Sequence, residues 1–204
     1  MKKALLLVVI LFTAVLSTAC INNLAVQELN NKAKQALDSG DYETAISRLK
    51  SSIDLDSTIF ETHFNLGIAY TQAEKYSLAV EALNNATKLK PNFADTYYAL
   101  AVAYENFGKS IVNGETTLTG EKVGIKEDNT KTEDNNDDEA ESKKTELSEE
   151  AKIKIAELFE SSINAYNKYL DLEKTGKADK ENVVSRINYL QTQIMKYTVP
   201  TENN

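Results

Sequence analysis

HFNLGIAYTQAEKYSLAVEALNNATKLKP, residues His63 to Pro91, is the stretch on which the reading turns. Leu66, Gly67 and Tyr70 come before a short break, and Tyr76, Ala79, Leu83 and Ala86 follow it with helical spacing. Gly67 and Ala79 let two helices approach closely, while Leu66, Tyr70, Leu83 and Ala86 fill the space between them. Pro91 stops the second helix, because proline has no amide to donate to the helical ladder.

The same residue types recur at a spacing of 34: Leu29, His63 and Tyr97; Ala33, Gly67 and Ala101; Ala36, Tyr70 and Tyr104; Gly40, Glu74 and Gly108. A second set relates Tyr42 to Tyr76, Ala45 to Ala79, Leu49 to Leu83, Ser52 to Ala86 and Ser57 to Pro91. The copy from Val26 to Ile59 is weaker, with Lys32, Ser52 and Ser57 off the pattern. A terminal repeat tolerates this because its outer face meets solvent. In the third copy, Ala94 to Lys109 matches a first helix, and the pattern then stops. It resumes at Phe159, Ser162, Tyr166, Tyr169, Leu170 and Leu172, with Phe159 lying 83 residues beyond Tyr76 where 34 are expected. An insert therefore separates the two helices of one repeat. Ser148, followed by Glu149 and Glu150, is the candidate cap of the second helix. A last helix carries Val183, Ile187, Leu190, Ile194 and Tyr197 as one apolar stripe.

This period and these residue types resemble the tetratricopeptide repeat. The resemblance implies an all-α helical-repeat solenoid of about three helix pairs with a C-terminal capping helix, since single repeats cannot bury their own apolar faces. Residues 26–109 then hold repeats 1 and 2 and the first helix of repeat 3. Residues 148–173 are its second helix, 179–197 the capping helix and 198–204 a disordered tail. Residues 110–147 form an acidic low-complexity insert. Between Glu121 and Glu150 there are twelve acidic and five basic residues, which account for most of the formal charge of −8. So few apolar residues cannot offset the entropy of ordering, and disorder is expected there.

The N-terminus reads as an address. Lys2 and Lys3 precede an apolar run from Ala4 to Leu16 and small residues ending at Cys20. The run is short of the ~20 apolar residues that a spanning helix needs. Leu16-Ser17-Thr18-Ala19-Cys20 resembles the lipobox of bacterial lipoproteins, with Ser17 where leucine is usual. That resemblance implies a cleaved signal peptide over 1–19, lipidation of Cys20, and a short tether over 20–25. It also implies attachment to a bacterial membrane on the extracytoplasmic side, the outer membrane in a two-membrane host because Ile21 follows the cysteine. As Cys20 is the only cysteine, no intrachain disulfide can form.

No segment clusters Lys and Arg as nucleic-acid binding requires. The single histidine, His63, falls where the repeat places a bulky packing residue. Gly108-Lys109-Ser110 imitates the end of a phosphate loop, but Ala103 stands where its first glycine belongs. Asp134, Asn136 and Asp138 alternate as in a calcium loop, yet Glu139 replaces the turn glycine and Thr145 the bidentate glutamate. No catalytic residue, metal site, cofactor or small-molecule substrate is therefore expected.

The resemblance also implies that the first helices of successive repeats line a concave, protein-binding face. The matching rows are Asn30, Phe64 and Tyr98; Lys34, Ile68 and Val102; Leu37, Thr71 and Glu105. Relatives that clamp a terminal carboxylate use basic groups where this chain has Asp95 and Ala99, with Asn65 the one clear match, so such capture is not expected. Phe64 and Tyr98 are expected to be exposed anchors that contribute little to folding, unless the insert or neighbouring turns cover them. The expected function is a membrane-anchored protein-interaction scaffold or assembly factor in the bacterial envelope, with envelope proteins or peptides as partners. The alternatives are an accessory subunit of an envelope enzyme, or a structural lipoprotein that makes its contacts through the acidic insert.

Overall fold

A computed structural model describes residues 23–123, 147–173 and 180–198. The signal region, Cys20, the calcium-like run and residues 199–204 lie outside these. Seven helices occupy the described chain: α1 (23–38), α2 (Tyr42–Leu55), α3 (Phe60–Gln72), α4 (Tyr76–Leu89), α5 (Ala94–Val112), α6 (Glu149–Leu172) and α7 (Lys180–Thr198). Each packs on the next through α2 to α7, and α3 also touches α5 directly. That is the order of a solenoid, in which α1, α3 and α5 are first helices of repeats and α2, α4 and α6 are second helices.

The 34-residue period reappears as burial. Ala45 and Ala79 are fully buried at the start of α2 and α4, and Leu49 and Leu83 are buried one turn later. Ser162 and Tyr166 occupy the corresponding places in α6, also without exposed surface. Gly67 is indispensable to the α3–α4 approach, since a Cβ there would collide with the Leu83 side chain. On α7, Val183, Ile187 and Leu190 face the core, so the helix closes the end of the stack.

Local signals set the boundaries. Asp41 accepts from the Thr44 amide at 3.1 Å and caps α2, and Ser148 Oγ accepts from the Ala151 amide at 3.2 Å and caps α6. Gly40 ends the first helix of repeat 1 with a φ of +78°, a conformation that costs glycine nothing. Glu74 ends the equivalent helix with a φ of +58°.

The third hairpin departs from the sequence reading. Gly108 aligns with Gly40 and Glu74, but α5 runs through it to Val112, and the left-handed turn falls at Gly114. The added turn of α5 buries Ile111, and the first turns of α6 bury Ala151, Ile155 and Leu158. Both partners thus extend beyond the repeat and bury apolar surface against each other, which offsets the ordering cost of the added turns. Gly108 has a packing role: a Cβ there would sit 2.5 Å from the Phe159 ring.

The expected insert over 110–147 is corrected at its start for the same reason. Residues 110–112 belong to α5, and 113–123 fold back as a strap held by the Val123 amide on the Glu115 carbonyl at 2.9 Å. Ser110 and Thr116 share a buried hydrogen bond of 2.7 Å, Leu118 packs on the core, and Lys122 pairs with Glu74 at 2.9 Å. Residues 124–146 lie outside the described chain.

Candidate protein-binding groove

Across α1 and α3 lies an open groove of about 530 Å³, whose walls include Gln27, Asn31 and Lys34 from α1 and Glu61 and Asn65 from α3. Helical spacing explains the set, since Gln27, Asn31 and Lys34 lie one turn apart on one face, as do Glu61 and Asn65. Asn31 and Asn65 make no hydrogen bond to other described residues, and Lys34 and Glu61 make no ion pair among them. Gln27 donates to Asn23 Oδ1 at 2.8 Å, so four polar side chains, Asn31, Lys34, Glu61 and Asn65, line the groove without a task in the fold.

Asn30 and Lys34 of the expected rows do reach this groove. Asn30, however, is already engaged: its amide donates to Ser52 Oγ at 2.9 Å and Thr62 Oγ1 at 3.0 Å, and its carbonyl accepts from Thr62 Oγ1. It is corrected from a free recognition group to a tie between α1, α2 and α3. Phe64 is partly buried, stacked on Phe60 with centroids 5.8 Å apart and edge-on to Phe93 at 5.7 Å. Tyr98 keeps 39% of its surface but leans on Tyr166 and Tyr169 of α6 at 5.8 and 5.2 Å. Ile68 and Val102 are half-buried against the core, as is Leu37, and Thr71 Oγ1 donates to the Gly67 carbonyl at 2.9 Å. The two aromatic anchors are therefore fold residues as well as surface ones: Phe64 joins Phe60 and the Phe93 that caps α5, and Tyr98 meets the second helix α6.

Glu105 is the clearest correction. Expected on the groove, it retains only 2% of its surface. Lys109 donates to Oε1 at 2.6 Å, while Arg186 Nη2 and the Tyr166 hydroxyl donate to Oε2 at 2.8 and 3.1 Å. Burial pushes the carboxyl upward, but the hydrogen bonds and charges of Lys109 and Arg186 outweigh it and hold Glu105 below the usual glutamate range. Burial and the Glu105 charge together push the Tyr166 hydroxyl well above the usual tyrosine range. The capping helix α7, which supplies Arg186, removes this residue from solvent.

Gln27, Asn31, Glu61 and Asn65 were missed as groove residues, Asn65 having been weighed as a clamp residue only. They belong to rows 27, 61 and 95 and 31, 65 and 99, each displaced from an expected row. The available signal was polarity: neither row places a large apolar residue anywhere. Among the described residues there is no group of three or more His, Cys, Asp or Glu that could hold a metal, and no helix long and apolar enough to cross a membrane. His63 is buried, with Nε2 2.9 Å from the Ser57 carbonyl oxygen.

Stacked helical hairpins around an open groove define a helical-repeat solenoid of the protein-interaction kind. Its repeats are of the tetratricopeptide kind: the family model described as TPR repeat matches residues 69–108. The first TPR domain of Spaghetti (RPAP3), bound to the HSP90 peptide SRMEEVD, is 14% identical, with 83% of this chain and 92% of that one covered and a TM-score of 0.53. The second TPR domain of human RPAP3, in complex with the HSP70 peptide SGPTIEEVD, has the same identity and TM-score and is 98% covered, against 83% of this chain. The Sgt2 TPR domain from Aspergillus fumigatus is 13% identical, with 88% of this chain and 87% of that one covered and a TM-score of 0.52. At these identities the likeness is one of fold. No curated protein matches the chain.

Proposed function

We propose that this chain is a membrane-tethered scaffold of the bacterial envelope that holds a protein or peptide partner in the α1–α3 groove and catalyses no reaction of its own. The observation that carries the reading is the row of unengaged groups, Asn31, Lys34, Glu61 and Asn65, around an open groove. Amides both donate and accept, so they suit an extended polypeptide, whose backbone offers both. Two neighbours of the same fold carry chaperone peptides, HSP90-derived in one and HSP70-derived in the other, which supports a peptide as partner class. The lipobox-like run ending at Cys20 supports the tether. Since the chain is helical from residue 23, at most three residues separate the lipid from the fold, roughly 10 Å at ~3.3 Å each. The solenoid then stands close to the bilayer. Its acidic insert departs from the far end of the helices, beside the turn at Glu74.

Two measurements test this. Photo-crosslinkers at 31 and 65 should capture one defined partner in native membranes, and crosslinkers at 130 and 136 should not. The opposite pattern would favour contact through the insert and sink the groove reading. For the tether, intact mass should show acyl chains on Cys20, and Cys20→Ser should release the protein from membranes. Unmodified protein that salt washes off would remove the anchor, because stable attachment needs more than a single marginal contact.

A further inference from the structure

Beside the groove, Phe60, Phe64 and Phe93 form a compact aromatic cluster, Phe60 and Phe93 meeting edge to face at 5.1 Å. Phe64 follows Glu61 by one helical turn and precedes Asn65, so the cluster borders the wall of the groove. The Lys90 ammonium lies over both the Phe60 and the Phe93 ring, 4.9 and 4.7 Å from their centroids. Lys90 is exposed and has no ion pair among the described residues. A solvated ammonium that settles over two ring faces marks a place where the ring quadrupoles favour positive charge. The charge around it has the same sense: Glu61 opens α3 and Asp95 opens α5, both exposed and neither in an ion pair among the described residues.

We infer that this cluster is a cation subsite, and that the partner of the groove presents a lysine or arginine side chain to Phe60, Phe64 and Phe93 in place of Lys90. Lys90 is then an internal occupant that keeps the rings covered when no partner is bound. The inference rests on the groove reading and adds to it the charge of the partner. Displacing Lys90 exchanges one cation for another, so little is lost at the rings, and the released ammonium returns to water. Arginine suits the site especially, because a planar guanidinium stacks on a ring face. The two exposed carboxylates beside the rings, Glu61 and Asp95, favour approach of such a partner.

The test uses blocked tripeptides with a central lysine, arginine or norleucine, titrated into the full chain and into Lys90→Ala while the phenylalanine ring resonances are followed by NMR. Norleucine keeps the apolar stem and lacks the charge. In Lys90→Ala, the lysine and arginine peptides should move the rings of all three phenylalanines and bind roughly two- to fivefold more tightly than norleucine. Wild-type protein should need higher concentrations, because Lys90 competes. Glu61→Gln with Asp95→Asn should narrow the preference for charge, and an unchanged melting temperature verifies that each variant is folded. Equal shifts by all three peptides would show an apolar patch and overturn the inference, as would rings that no peptide moves. Failure of the groove reading is seen separately: crosslinks at 31 and 65 would be absent although the cation preference remained.

Discussion

Glu105 on α5 and Arg186 on α7 lie 81 positions apart in the chain and meet at 2.8 Å, joining the last repeat to the helix that caps it. The pair is asymmetric, since the carboxylate is buried while the guanidinium keeps part of its surface in water. Removing the charge of Glu105 is thus a loss inside the fold, whereas removing Arg186 leaves that buried charge with Lys109 as its one cation.

Glu105→Gln should lower stability by about 1.5 to 3 kcal/mol, the range for hydrogen bonds to charged groups. Arg186→Met should cost more, because an acid left without one of its cations is the worse outcome. The pH dependence follows from the direction of the shift. A carboxyl held below its ordinary range stabilises the fold above that range and loses the contribution as pH falls through its folded value. Chemical denaturation at neutral pH and below pH 4.5 should show a gap between wild type and Glu105→Gln that closes on acidification. A gap that does not change with pH would deny the ionised pair.

Thr96 offers a gain. Its hydroxyl is buried without a hydrogen-bond partner, while its equivalent one repeat earlier, Thr62, bonds to both Asn30 and Ser52. The positions that would serve Thr96 are held by Phe64 and Ala86, which have nothing to offer it. Thr96→Val keeps the shape and removes the orphan, so it should raise stability by about 1 kcal/mol, whereas Thr62→Val should lower it. Equal losses at the two sites in thermal melts would contradict this account.

Deleting the insert should have a sharp boundary. Replacing 124–146 with a short Gly/Ser linker should hold melting within a few degrees, because closure entropy varies only logarithmically with the length of a connection. Extending the deletion back to 113 also removes the Ser110–Thr116 bond and the Leu118 packing, and should destabilise clearly. Identical melts for the two deletions would mean that the strap contributes nothing.

Gly67→Ala should destabilise by about 1 to 3 kcal/mol, because the added methyl meets the branched end of the fully buried Leu83. Combining it with Leu83→Val should recover part of that loss beyond additivity, which a double-mutant cycle would detect. Strict additivity would mean that the two sites do not touch.

Sequence and tertiary structure divided the rest between them along physical lines. The repeat of 34 residues, the small residues at 67 and 79, the leucines at 49 and 83 and the apolar stripe on the last helix settled the all-α solenoid. Each of these is a periodic demand of helix packing, and periodicity is visible in one dimension. Whether Glu105 faced a partner or the interior was not periodic information. That depended on α7, which returns after the insert and lays Arg186 over it. Asn30 and Phe64 stand at the same place in successive repeats, yet one ties three helices together and the other joins an aromatic cluster. Asn30 meets residues 22 and 32 positions away, and Phe64 meets Phe93, 29 positions away. The strap over 113–123 is composed like a solvated linker, and what fixes it is the Ser110–Thr116 bond, the packing of Leu118 and the Lys122–Glu74 pair. A helix's buried stripe is written in its own residues, whereas the use of a surface position is decided by whatever the rest of the chain brings against it.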